Sequence, residues 1–306
     1  MNKRKIFYYS FFIIVFALIF TIIFYNFTLN IERTIIYNRN NNTNNLKNKE
    51  TVYIGVISRY PPNIIYRGYQ PILDYLTKTT NYNFQLKLSE NYSQTIEMLI
   101  NKQVEAAFVG SLVYVEAKQK YNISPILKPL NENFIPSSRS VLFTKYDSKI
   151  KSIADIINKS IALPASESFS SNWFTNVLLR DNNLTLKNLG EIKNFPHHQS
   201  VIYQVVRGNY DIGVTREYLL KNLIDSTVTI LAYSNPFPTS PIIALSDNKS
   251  KAISEMVNSL LKINKNNPNR REITKGWDNE FVYGFNKAED KDYDIIRELK
   301  KKSNVF

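Results

Sequence analysis

The segment Val104-Glu105-Ala106-Ala107-Phe108-Val109-Gly110-Ser111-Leu112-Val113-Tyr114 carries the fold in miniature. Four uninterrupted apolar residues, 106–109, have the length of a strand covered on both faces, and Gly110-Ser111 stops the run. A helix over 112–121 follows. Strand, turn and helix in immediate succession form the unit of an α/β protein, and the unit recurs on either side. Upstream, residues 52–57 are a strand-length apolar run that ends at Pro61 and Pro62. Ile72, Leu73, Tyr75 and Leu76 then predict a helix over 69–78, with Pro71 in its first turn. Phe84, Leu86 and Leu88 alternate as a strand, and Ser93 precedes a helix through Ile96, Leu99 and Ile100.

Downstream, residues 141–144 read as a strand leading out of this first unit, and Ser152-Ile153-Ala154-Asp155 has capping-box spacing. Residues 161–163 are a strand, the serine-rich turn 166–171 leads into a helix through Trp173, Val177 and Leu178, and Ile192 marks a short strand. A helix over 198–207 is closed by Gly208, and the strand 211–214 ends at Thr215 and Arg216. Residues 228–231 and 242–245 are strands that return the chain to the first unit, before a helix over 250–263. This order predicts two lobes, each a mostly parallel sheet flanked by helices, joined by crossings near 140–148 and 230–242.

Before the lobes lies a different composition. Lys3, Arg4 and Lys5 precede 24 uncharged, strongly apolar residues, 6–29. That length exceeds the ~20 residues a membrane-spanning helix needs, and no small-residue cleavage site follows before Glu32, so the segment reads as an uncleaved signal anchor. The basic cluster holds the N-terminus in the cytoplasm, although Arg33 and Arg39 on the far side weaken that bias. An asparagine-rich tract follows (Asn38, Asn40, Asn41, Asn42, Asn44, Asn45, Asn48) with too few apolar residues to pack, and it reads as a tether. The expected organisation is an anchor over 1–37, a linker over 38–50 and a binding domain over 51–306. Its first lobe comprises 51–144 and 232–306, and its second 145–231.

Composition narrows the chemistry. The chain's 306 residues contain no cysteine, which excludes disulfides, thiolate metal sites, a cysteine nucleophile and a lipid-modified cysteine. Thirty-nine Lys and Arg against 26 Asp and Glu leave a net charge of +13, which favours an anionic partner. No G-x-S-x-G, G-x-x-x-x-G-K-[ST], H-E-x-x-H or calcium-loop pattern occurs, and eight glycines leave little for a phosphate-cradling loop. His197 and His198 are the only histidines; as neighbours they project in different directions and make a poor metal pair. Lys300, Lys301 and Lys302 form a short solvated helix end, too short for a nucleic-acid stripe. No cofactor and no enzymatic role are expected.

Several strings together resemble the phosphonate-binding-like family of extracytoplasmic solute-binding proteins of ABC transporters. They are Tyr69-Gln70-Pro71-Ile72-Leu73-Asp74-Tyr75-Leu76, the opening segment from Val104 to Tyr114, Arg139-Ser140-Val141, Lys151-Ser152-Ile153-Ala154-Asp155, Ser168-Phe169-Ser170-Ser171, and His198 ahead of Gly208-Asn209-Tyr210-Asp211. The resemblance covers about 51–245. Gly276-Trp277 and the segment 293–299 are similar to binding domains fused to sensor histidine kinases. The family implies a two-lobed, type II-like periplasmic-binding-protein fold that captures a small phosphonate-, phosphate- or phosphite-like oxyanion between its lobes. The expected partner is an ABC permease, with a sensor kinase as the alternative, and the binding domain stands on the extracytoplasmic side of the membrane.

The ligand contacts implied are Tyr60, Ser111, Tyr114, Arg139, Ser168, Ser170, Ser171, His198 and Thr215. The serines stand at helix starts, where N–H groups and hydroxyls suit an anion. Arg59, Arg139 and Arg216 end or flank strands and are able to pair with one. Thr215 stands where many family members have an acidic residue suited to a ligand amine, which favours a simpler oxyanion. If His198 binds as imidazolium, affinity falls as pH rises through about 6–7.

Overall fold

The computed structural model describes residues 49–303, with Phe16 alone before them. The apolar run 6–29 and most of the asparagine-rich tract therefore lie outside the described residues. Among the described residues no helix is long and apolar enough to cross a membrane.

Two sheets organise the chain from Glu50 onward. The first has strand order β13-β4-β12-β3-β1-β2, built from β1 (Thr51–Val56), β2 (Asn83–Leu88), β3 (Ala106–Phe108), β4 (Ile123–Pro129), β12 (Ile242–Leu245) and β13 (Phe285–Lys287). The second has order β10-β6-β9-β7-β8, from β6 (Ser140–Lys145), β7 (Ile161–Leu163), β8 (Ile192–Asn194), β9 (Ile212–Arg216) and β10 (Val228–Tyr233). Between the two sheets in sequence, β5 (Ser137–Ser138) pairs antiparallel with β11 (Phe237–Pro238), so outgoing and returning chain run side by side. β6 belongs to the second sheet, and the chain therefore enters it at Ser140.

Both sheets are mixed rather than mostly parallel. β1 pairs parallel with β2 and β3, whereas β12 runs against β3 and β4, and β13 against β4. In the second sheet β7 is parallel to β8 and β9, and β6 is antiparallel to β9 and β10. The cause is connectivity. β12 and β6 are the strands that arrive from the other lobe, and each inserts into its sheet interior against the local direction. Apolar periodicity carries no information on strand direction.

Helix α1 (Pro62–Thr79) begins well before the expected start, with Pro62 in its first turn and Pro71 inside it. Its buried residues Ile65, Tyr69, Ile72, Leu73 and Leu76 follow one face and join the apolar cluster that holds Ile54 and Val56 of β1 and Phe84 of β2. That burial outweighs the loss of the single hydrogen bond that Pro71 cannot donate. Helices α2 (Tyr92–Ile100) and α3 (Ser111–Lys118) complete the first unit. β4, a strand the sequence pattern hides, contains Pro125 opposite an irregularity in the β12 pairing.

In the second lobe, a π-helical turn (Ser170–Phe174) leads into α4 (Thr175–Asp181), and α5 (His198–Val206) buries His198, Val201, Ile202 and Val205. α5 lies hard against β9. A Cβ on Gly213 would stand 2.8 Å from Val205 and 2.9 Å from Val201, closer than side-chain contacts allow. This close seat sets His198, the first residue of α5, over the end of β9. The short α6 (Glu217–Leu220), then α7 (Lys251–Leu261), α8 (Arg270–Ile273) and α9 (Asp294–Ser303), follow. One apolar cluster runs through both lobes at the crossing, where Phe169 stacks on Trp173 at 4.7 Å and meets Phe237 of β11 at 4.4 Å.

Candidate ligand-binding site

Five loops leave the carboxyl ends of β1, β3, β7, β8 and β9, the end of an α/β sheet at which ligands gather. These strand ends, with the loops and helix starts that follow them, supply Arg59 and Tyr60, Ser111, Ser168 to Ser171, His198, and Thr215 with Arg216 at the end of β9 itself. His198 is the centre of this group in the second lobe. Its Nε2 meets Ser168 Oγ at 3.2 Å and its Nδ1 meets Thr215 Oγ1 at 3.1 Å, all three side chains being buried. Burial first, then the charges of Arg216 and Arg59, hold the imidazole well below its ordinary range. A neutral ring donates one hydrogen bond and accepts the other, so His198 fixes the orientation of both hydroxyls. A neutral His198 links Ser168 to Thr215.

The remaining serines are equally enclosed. Ser170 Oγ lies 2.7 Å from Ser140 Oγ, and Ser171 Oγ accepts from Asn194 Nδ2 at 2.9 Å. Ser111, fully buried, donates to the carbonyl of Pro238 at 3.4 Å and so ties the start of α3 to the crossing strands. Tyr60 reaches the other lobe, its hydroxyl 3.0 Å from that of Tyr218. Two further contacts join the lobes: the His198 backbone N–H donates to the Arg59 carbonyl at 3.3 Å, and His197 Nδ1 donates to the Ser58 carbonyl at 2.9 Å. The first lobe thus presses on the N-terminus of α5.

Tyr114 and Arg139 stand apart from this group. The Tyr114 hydroxyl bonds Asp290 and its ring packs edge-on against Tyr293 at 5.0 Å, which makes it part of the seat of α9. Arg139 forms a two-pronged pair with Glu217 at 2.8 and 2.9 Å, stacks over Tyr233, and is 43% exposed in its side chain. Each has its polar group committed to a neighbour, for reasons no local string encodes.

Two arginines that sequence placed only at strand ends prove to be the dominant charges. Arg59 and Arg216 are 5% and 6% exposed. Arg59 Nη1 donates to Glu280 Oε2 at 2.5 Å, while its Nε and Nη2 are buried without a protein acceptor. Arg216 forms no ion pair among the described residues; its guanidinium donates to Ser138 Oγ at 3.3 Å and lies 4.6 Å over the Phe237 ring. The electrostatic outcome differs accordingly. Burial opposes the charge of Arg59, yet Glu280 holds it protonated well above the usual range, whereas burial lowers Arg216. Glu280 itself is 7% exposed and lies outside every helix and strand, so no periodic signal marks it. Behind it Asp278, crowded by burial and by Glu280, is pushed up to about 6. The arrangement is a buried, donor-rich cluster with one compensated and one uncompensated guanidinium, a chemistry suited to a small anion. Among the described residues no group of three or more His, Asp or Glu has the geometry to hold a metal ion.

The His198 environment has a pH signature. Its folded-state value lies below that of the unfolded chain, so protons bind more readily to the unfolded form. Stability should fall as pH drops below about 6.5, with a slope approaching ~1.4 kcal/mol per pH unit. Asp278, raised to about 6, acts in the opposite sense, contributing stability at low pH that is lost as pH rises through that value. Melting temperatures of the wild type and His198→Gln measured across pH 5–7 isolate the histidine. The wild type should lose stability on acidification relative to the variant, and parallel curves would contradict a buried neutral ring.

Residues 54–293 match the family model described as ABC transporter, phosphonate, periplasmic substrate-binding protein, which extends the resemblance past the last strand of the first sheet's return. Among solved structures, a binding protein component of an ABC phosphonate transporter from Pseudomonas aeruginosa superposes with a TM-score of 0.70 at 17% identity, covering 84% of this chain and 87% of its own. PhnD1 from Prochlorococcus marinus, in complex with methylphosphonate, gives 0.72 at 16% identity over 84% and 99%. A Xanthomonas citri protein bound to ATP gives 0.63 at 14% identity over 84% and 98%. At such identities the likeness speaks for the fold, an α/β periplasmic-binding-protein fold. With the family model spanning most of the chain, this protein belongs to the phosphonate-type periplasmic substrate-binding proteins of ABC transporters.

Proposed function

We propose that this protein captures a small oxyanion, phosphonate-, phosphate- or phosphite-like, between its two lobes and delivers it to an ABC permease. The observation that carries this reading is Arg216, a guanidinium buried at the crossing with no carboxylate partner among the described residues. An uncompensated buried charge costs several kcal/mol, and a bound anion would relieve that cost. Ser168 and Ser170 and the free nitrogens of Arg59 supply further donors. The chemistry required is binding alone. No group is needed as nucleophile, acid or base, so the protein is proposed to be a carrier and not an enzyme. Closure of the lobes around the ligand is the proposed signal to the permease.

The serines test the reading. If Ser168 and Ser170 hold the ligand, Ser168→Ala and Ser170→Ala should each weaken oxyanion binding by roughly tenfold or more, as loss of a charge-assisted hydrogen bond does. If they serve only their hydrogen bonds to His198 and Ser140, each should cost about 1 kcal/mol of stability and leave affinity unchanged. Calorimetric titration with methylphosphonate beside thermal melting of the free protein separates the two.

The family is extracytoplasmic, and the N-terminal apolar run is proposed to anchor the protein in the cytoplasmic membrane with its binding domain outside. The support is the 24-residue uncharged stretch behind Lys3, Arg4 and Lys5. In membrane fractions the full chain should resist carbonate extraction and retain its N-terminus. A soluble mature form starting after residue 29 would contradict the anchor.

A further inference from the structure

Among the described residues Glu280 is the carboxylate hydrogen-bonded to Arg59, and its Oε2 is already engaged. Oε2 receives Arg59 Nη1 at 2.5 Å and the Tyr218 hydroxyl at 3.5 Å. Asp278 stands behind it, with Oδ1 accepting the backbone N–H of Glu280 at 2.9 Å. The Arg59 carbonyl accepts the N–H of His198, so its backbone touches the first turn of α5. Its Nε and Nη2 are buried without acceptors. The Arg59 guanidinium therefore stands beside the N-terminus of α5 with one nitrogen on Glu280 and two buried N–H groups that have no protein acceptor.

A ligand ammonium group brought beside Arg59 meets a like charge where it needs a carboxylate. Like-charge contact in a buried site is strongly unfavourable, and rejection by repulsion is an effective route to specificity. The same guanidinium favours an oxyanion oxygen on that side, in the two-pronged geometry that arginine offers.

We propose that Arg59 masks Glu280 and so makes the pocket selective for oxyanions that carry no ammonium group, an inference that rests on the oxyanion reading above. The mask also implies a latent specificity: removing the guanidinium exposes Glu280 to the ligand and turns an amine-rejecting wall into an amine-accepting one.

The test compares methylphosphonate with 2-aminoethylphosphonate by titration calorimetry on the full-length protein in detergent. The wild type should prefer methylphosphonate by about tenfold or more. Arg59→Met should shift the ratio of the two affinities toward the aminophosphonate by a similar factor, and adding Glu280→Gln should abolish the shift. Equal binding of the two ligands by the wild type, or a preference for the amine, overturns the mask; so does an unchanged ratio in Arg59→Met. The wild-type comparison decides the question without the variant should Arg59→Met fail to fold. A wild type that binds neither ligand would instead overturn the oxyanion reading itself, and the inference with it.

Discussion

Arg216→Met should abolish high-affinity oxyanion binding while leaving the ligand-free protein at least as stable as the wild type. The two effects have one origin. The guanidinium is 6% exposed, forms no ion pair among the described residues, and is lowered by burial, so the free protein bears the cost of an isolated buried charge. Replacing such a charge by an apolar side chain of similar volume is commonly neutral or stabilising by about 1–4 kcal/mol. Methionine also keeps a polarizable group over the Phe237 ring, where the guanidinium now lies at 4.6 Å. In the liganded protein the balance reverses, because truncating one member of a buried charged pair costs about 2–5 kcal/mol, roughly thirtyfold or more in affinity. Melting curves with and without methylphosphonate read both signs in one experiment. A variant that melts early and binds normally would show that Arg216 is an ordinary structural residue.

Glu280→Ala should have the opposite profile. Arg59 and Glu280 are 6% and 5% exposed in their side chains, and their contact joins residues 221 positions apart. Removing the carboxylate strands Arg59 in the interior, an effect of about 3–5 kcal/mol. In a domain of this size that corresponds to a fall of roughly 6–20 °C in melting temperature. Added oxyanion should recover part of the loss, because the ligand becomes the only anion near Arg59, so the ligand-induced rise should exceed that of the wild type. An unchanged melting temperature would show that the pair contributes nothing to the folded state.

The alternation of strand and helix was legible in sequence wherever an apolar run ended at a turn residue, as at Phe108 and Val109 before Gly110. It failed where the local rule is broken. Pro125 lies inside β4, and a proline in a short apolar run argues against a strand unless a register irregularity absorbs it. Pro71 similarly hid the first half of α1, whose apolar burial outweighs a local preference. The parallel arrangement was over-read because direction depends on which strands return from the other lobe.

The site divides in the same way. Ser168, His198 and Thr215 were legible because each stands at the end of a strand or the start of a helix, and the fold brings those three into one hydrogen-bonded chain. Tyr114 occupies the same kind of position, yet Asp290, 176 residues away, claims its hydroxyl. Arg59 and Arg216 carried the right local signal, a cation at a strand's carboxyl end. What distinguishes them from Arg139 is their partner: Glu280 for one, no carboxylate for the other, and exposed Glu217 for the third. Such pairings are tertiary facts.

The central claim is that an oxyanion sits between the lobes, on Arg216 and the Ser168–His198–Thr215 chain. A crystal structure of the protein grown with methylphosphonate tests it most directly. The electron density should show a tetrahedral group within hydrogen-bond distance of the Arg216 guanidinium and the Ser168 or Ser170 hydroxyl, with Arg59 closing over it from the first lobe. A cleft without ligand at saturating methylphosphonate, or a ligand bound elsewhere on the protein, would contradict it.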